Sequence, residues 1–164
     1  MKLHTSPLSP YARKVLILAR LKGIALEEIP AVADIRKGYT NGVNALGKIP
    51  TLEITDDIVL YDSPVICEYL DSLSDPILPR QGNERWHQLH LHALGDGISD
   101  AAYNYRYEIV RDESLHWPKM ITRHETAIGS AVMQLEAYIE TQLEGRVTVD
   151  RASIMVQVKK LLEG

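Results

Sequence analysis

Apolar and polar positions change their period along the chain, and the changes predict the elements. Met1 to Thr5 reads as a short buried strand, and Ser6-Pro7-Leu8-Ser9-Pro10 reads as a turn into a helix. Ser9 is the predicted N-cap and Pro10 the first helical residue, where a missing N–H costs nothing. Tyr11, Val15, Leu18 and Ala19 then share one helical face, and Gly23 supplies a stop. Leu26 to Ile29 predicts a second strand. Residues 31 to 47 are polar and glycine-containing, which predicts an irregular segment with at most a short helix. Thr51 to Ile54 and Ile58 to Tyr61 flank Asp56-Asp57 as a β-hairpin. Ser63-Pro64 repeats the cap-then-proline start, with Ile66, Tyr69, Leu70 and Leu73 as the buried stripe behind it.

The pattern breaks at Asp75-Pro76-Ile77-Leu78-Pro79-Arg80-Gln81-Gly82, where two prolines and a glycine predict a linker. Beyond it the period is helical: Leu94, Ile98, Ala101 and Tyr105 share a face, as do Ile128, Val132, Leu135, Ile139 and Leu143. A third helix is predicted to begin near Thr148. The order is thus strand-helix-strand, an irregular loop, hairpin and helix, then helices. That order predicts an α/β domain over residues 1–78, built on a small mixed sheet, and an all-α bundle over 83–164.

Composition narrows the function. The chain of 164 residues is 45% hydrophobic, ordinary for a packed core, and its formal charge of −4 comes from 18 basic and 22 acidic residues mixed along its length. No basic run tracks a phosphate backbone, so nucleic acid is not an expected partner. No apolar stretch approaches the roughly 20 residues that span a bilayer, and the first residues lack the apolar core of a signal peptide, so the expected compartment is the cytoplasm. The lone Cys67 excludes an internal disulfide, a dithiol pair and a thiolate zinc cluster. Any redox or sulfur chemistry has to take its sulfur from a ligand.

Three segments in order, Ser9-Pro10-Tyr11-Ala12-Arg13, Gly47-Lys48-Ile49-Pro50-Thr51-Leu52 and Asp62-Ser63-Pro64, resemble the cytosolic glutathione transferase superfamily. The segments Asp96-Gly97-Ile98-Ser99-Asp100-Ala101-Ala102 and Arg106-Tyr107-Glu108 are similar to bacterial members with an active-site serine. The resemblance implies a thioredoxin-like, glutathione-binding first domain and a helical second one. It implies a detoxifying transferase that binds glutathione as cosubstrate, uses no metal and works as a homodimer on a small hydrophobic electrophile. Alternatives within the same fold are a non-catalytic glutathione-binding or protein-interaction module and a glutathione-dependent isomerase.

The chemistry agrees with the residues. A thiol of pKa about 8.5 is mostly protonated at neutral pH, so an enzyme using it as a nucleophile must stabilise the thiolate. Ser9 sits where a hydroxyl donor and the positive end of a helix act together, and Arg13, one turn further in, adds positive potential. Ser6 is the rival donor, and Tyr11 is read as core. The family resemblance implies a cis Pro50, which presents the backbone of Ile49 to the extended tripeptide as an added strand. It also implies that Asp62 meets the γ-glutamyl ammonium, Ser63 the γ-glutamyl carboxylate and Lys48 the glycyl carboxylate. Ser63 before Pro64 also serves as a helix cap with no ligand at all.

Tyr103, Arg106 and Tyr107 are candidate walls of the electrophile pocket, although tyrosines four apart are also ordinary helix packing. His87 and His90, three apart with His92 nearby, have no completing ligand and read as a polar helix face, and Cys67 reads as a small core residue. Two departures stand out. Thr148-Val149-Asp150-Arg151 carries Arg where the family's capping signal has Asp. The chain ends at Gly164, short of the family's usual helices, which predicts a truncated or divergent second domain.

Overall fold

The computed structural model describes residues 1–31 and 42–143. The elements are β1 (Lys2–Thr5), α1 (Pro10–Leu21), β2 (Glu27–Pro30), β3 (Thr51–Thr55), β4 (Ile58–Leu60), α2 (Ser63–Ser72), α3 (Gly82–Ile109), a 3₁₀ turn at Glu113–Leu115 and α4 (Pro118–Leu143). The strands form one sheet in the order β2-β1-β3-β4. β1 runs parallel to β2 and antiparallel to β3, and β3 runs antiparallel to β4. This is the mixed sheet that the period predicted, a thioredoxin-like layout followed by a helical region. The chain divides into two compact units, Met1–Gln88 and one beginning at Leu89.

The ends of α1 follow from its sequence. Ser9 is the N-cap, its Oγ accepting the Ala12 N–H at 3.2 Å. At the other end Gly23 adopts φ +65°, and the N–H groups of Gly23 and Ile24 return to the carbonyls of Arg20 and Ala19 at 3.1 and 2.8 Å. This closure needs a left-handed residue, which glycine supplies without steric cost. The start of α2 differs from its expected form. The N-cap is Asp62, whose carbonyl accepts the Ile66 N–H at 3.0 Å, and Ser63 is already helical. Ser63 is therefore not the cap: with Pro64 inside the first turn, the helix begins one residue earlier than the Ser-Pro pair suggests.

The core of the first unit lies where α1 and α2 cover one face of the sheet. Leu3 and Leu52 face each other across β1 and β3, packed with Val15 and Ala19 from α1 and Ile66, Cys67 and Leu70 from α2. Burying each large aliphatic side chain contributes about 1.5–3 kcal/mol. Cys67 is buried, as expected of a core residue. Leu73, expected in the α2 stripe, is instead exposed, because α2 ends at Ser72 and the side chain that stays inside is Asp71. His4 faces away from the side that carries Leu3, and its Nε2 lies 2.5 Å from Glu53 Oε1.

In the unit that begins at Leu89, Ala101 and Ile128 are buried, and Leu94, Ile98, Tyr105, Val132, Leu135 and Ile139 are half-buried. From Leu94 to Tyr105 and from Ile128 to Ile139 the predicted stripes are therefore the more buried faces of α3 and α4. The turn between them is built from side chains. Glu108 accepts the Trp117 N–H at 2.6 Å and the Arg111 guanidinium at 3.0 Å, while Asp112 caps the 3₁₀ turn through Ser114. The Trp117 N–H and then Arg111 hold the Glu108 carboxyl below the usual carboxylate range. Among the described residues no helix is long and apolar enough to cross a membrane. The helix predicted near Thr148 and its altered capping signal lie outside the described residues.

Candidate functional site

The strand register brings the three sequence segments to one edge of the sheet. His4 pairs with Thr51, so the end of β1 lies beside Pro50 and the start of β3. Leu60, the last residue of β4, pairs with Leu52, so the chain leaves β4 at the same edge and enters α2 within three residues. α1 likewise starts five residues after β1 ends. Lys22 and Asp71 fasten the far ends of the two helices together, with the Lys22 ammonium 2.9 Å from Asp71 Oδ1. Two helix N-termini therefore open on the edge that also carries the Ile49–Pro50 bond. Each leaves backbone N–H groups without intrahelical acceptors and favours negative charge nearby.

Ser9 is half-buried at the head of α1. Its oxygen accepts the Ala12 N–H, and this capping bond leaves the hydroxyl's own proton available for a second partner. Ser6 accepts the Leu8 N–H at a longer 3.4 Å, and its carbonyl accepts the Ser9 N–H at 3.0 Å. The Arg13 guanidinium donates to the Pro7 carbonyl at 3.2 Å, which ties the loop to the helix it precedes and adds positive charge beside Ser9.

The Ile49–Pro50 peptide is cis, as the resemblance implied, and so is Tyr61–Asp62. Lys48 is exposed, Ile49 half-buried and Pro50 buried. Asp62 is exposed, and its carboxylate makes no capping hydrogen bond, while Ser63 is buried. Two residues that the sequence reading did not single out organise this edge. Asn44 is 2% exposed and Thr51 fully buried, and both hold the carbonyl of Lys48. An asparagine three residues before Gly47 is a turn signal that had been visible in the polar segment.

The Tyr103, Arg106 and Tyr107 candidates stand on α3 in the second unit. The two tyrosine rings pack at 4.6 Å between centroids, tilted by 48°. An open groove of about 560 Å³ there is lined by Asn104, Tyr107, Glu108, Arg111, Trp117, Met120 and His124, so Tyr107 borders it and the other two candidates do not. Among the described residues no group of three His, Cys, Asp or Glu side chains is placed to hold a metal ion.

Residues 8–73 match the family model of the glutathione S-transferase N-terminal domain. An uncharacterised GST-like protein of Escherichia coli K12, YibF, is 34% identical over 164 residues, covering 95% of this chain and 78% of its own. The chain belongs to the glutathione transferase family. Among solved structures, a glutathione transferase family member from Pseudomonas fluorescens Pf-5 with bound glutathione is 37% identical, with a TM-score of 0.80 over 87% of this transferase-family chain and 73% of its own. The same P. fluorescens relative with bound S-(propanoic acid)-glutathione aligns at 36% identity and a TM-score of 0.77, over 87% and 72% of the two chains.

Proposed function

We propose that this protein is a glutathione transferase that binds the tripeptide along the sheet edge between α1, Pro50 and α2 and activates its sulfur with Ser9. The observation that carries this reading is the convergence of Ser9, Ile49–Pro50 and Ser63 on one edge where two helices begin. The Ser9 hydroxyl donates a hydrogen bond to the sulfur. The N–H of Ala12, which already engages the Ser9 oxygen, polarises that hydroxyl toward donation. Together with the positive helix ends and Arg13, this lowers the thiol pKa and raises the thiolate fraction at neutral pH. The backbone of Ile49 meets the extended tripeptide, Asp62 its ammonium, Ser63 the γ-glutamyl carboxylate and Lys48 the glycyl carboxylate.

The thiolate attacks an electrophilic carbon: a C–S bond forms, the bond to the leaving group breaks, and the thiol proton passes to solvent. That the P. fluorescens relative was crystallised with an S-substituted glutathione supports a site that accommodates such a conjugate. Tyr103, Arg106 and Tyr107 are the proposed contacts of the electrophile. The same reading expects a cytoplasmic two-fold homodimer that detoxifies small hydrophobic electrophiles.

The test is retention on immobilised glutathione together with conjugation of a generic aryl halide. Retention with turnover supports the proposal. Retention without turnover on a panel of electrophiles leaves only a binding module, and absence of retention removes the glutathione site.

A further inference from the structure

The loop before β3 is largely exposed, yet around its buried Asn44 it has more hydrogen bonding than a connection between elements requires. Asn44 Nδ2 donates to the Lys48 carbonyl at 3.0 Å and to Thr51 Oγ1 at 2.9 Å. Thr51 Oγ1 donates in turn to the same carbonyl at 2.8 Å. The other side of Asn44 is also occupied: Oδ1 accepts the Leu46 N–H and the backbone carbonyl accepts the Gly47 N–H, both at 2.8 Å. Two donors therefore fix the Lys48 carbonyl toward the loop interior.

The Lys48–Ile49 peptide is trans, the cis bonds of the described residues lying elsewhere. In a planar trans peptide the carbonyl and the following N–H point in opposite directions. With the carbonyl held inward, the Ile49 N–H is turned outward, and no described residue accepts from it. A loop that satisfies one side of a peptide twice and leaves the other side open presents a donor to an outside partner.

We infer that Asn44 and Thr51 are positioning residues that aim the Ile49 N–H at the extended tripeptide by holding the Lys48 carbonyl. This rests on the glutathione-binding reading above and assigns to these two residues the alignment of the added strand. They act on affinity and leave the sulfur alone, because none of the hydrogen bonds just described involves Ser9.

The experiment compares the full chain with its Thr51→Val and Thr51→Ser variants by calorimetric titration of glutathione, and by the pH profile of conjugation at saturating glutathione. Thr51→Val keeps the shape and removes the donor; its affinity is expected to fall about tenfold, whereas Thr51→Ser stays within about threefold of the parent. The apparent thiol pKa is expected to be the same in all three, while Ser9→Ala raises it. If Thr51→Val fails to fold by circular dichroism, Asn44→Ser carries the same comparison. The inference is overturned if the valine variant binds like the parent, if the serine variant is as weak as the valine variant, or if the valine variant shifts the pH profile. A parent protein that binds no glutathione removes the functional reading itself, and this inference with it.

Discussion

The Lys22 ammonium lies 2.9 Å from Asp71 Oδ1 with both side chains buried, at 2% and 1% exposure. It also donates to the carbonyls of Asp71 and Asp75 at 2.8 and 2.7 Å, while the Asp71 carboxylate accepts the N–H groups of Ile77 and Leu78 at 2.8 and 3.2 Å. One ion pair thus joins the C-terminus of α1, the C-terminus of α2 and the segment leading to α3. It keeps the two helices aligned so that their opposite ends share the candidate site.

Breaking this pair from one side strands a buried charge. Lys22→Met and Asp71→Asn are each expected to destabilise the protein by about 3–5 kcal/mol in urea unfolding, and Lys22→Met with Asp71→Leu to recover part of that loss. Recovery of nothing by the double variant would show that the backbone bonds to Asp71 carry the effect.

The same pair makes stability depend on acid. Burial pushes the Asp71 carboxyl up, but the Ile77 N–H, the Lys22 ammonium and the Leu78 N–H outweigh it and hold the group below its ordinary value. A carboxyl lowered on folding contributes stability in full above its unfolded pKa, near about 4, and loses it as pH falls through the folded value. The urea midpoint should therefore fall as pH drops from about 5 to below about 4 in the parent, and fall less in Asp71→Asn.

Ser9→Ala removes a cap and a donor together. Stability is expected to fall by about 1 kcal/mol, and conjugation by a larger factor than that loss explains, with the pH profile moved to higher pH. Ser9→Thr keeps both functions. A large loss in Ser6→Ala with Ser9→Ala active would transfer the role to Ser6.

Thr5 gives a prediction of the opposite sign. It is 6% exposed, and its Oγ1 has no hydrogen-bond partner among the described residues. An unpaired buried hydroxyl is unfavourable, so Thr5→Val is expected to be neutral or to stabilise by up to about 1 kcal/mol in thermal unfolding. Destabilisation by more than that would reveal a partner for the hydroxyl.

In the core, Leu52→Ala leaves a cavity beneath both helices and is expected to cost about 2–5 kcal/mol by denaturant unfolding. A cost below about 1 kcal/mol would mean that α1 and α2 settle into the space.

The elements and their faces were legible because local rules govern them. Ser9-Pro10 fixes a helix start through one side-chain bond and one missing N–H, and the period of Val15 and Ala19 names the buried face. The start of α2 was less legible: Asp62 is extended and Ser63 is already helical, so the cap falls one residue before the serine that the Ser-Pro pair points to. Leu73 reads as core by period yet lies past the helix end, while Asp71 reads as surface and is buried because Lys22, far away in sequence, neutralises it. Asn44 and Thr51 were missed for a similar reason. Their importance lies in sharing one carbonyl, and side-chain geometry within a loop leaves no periodic trace.

Segment identity, the Ser9 cap of α1 and the apolar faces follow from the chain alone, since each depends on residues within about one helical turn of one another. Bringing Ser9, Ile49 and Ser63 to one edge required strand register and a buried ion pair between distant positions. These are long-range interactions, whose energy exists only once the sheet and its two covering helices have assembled.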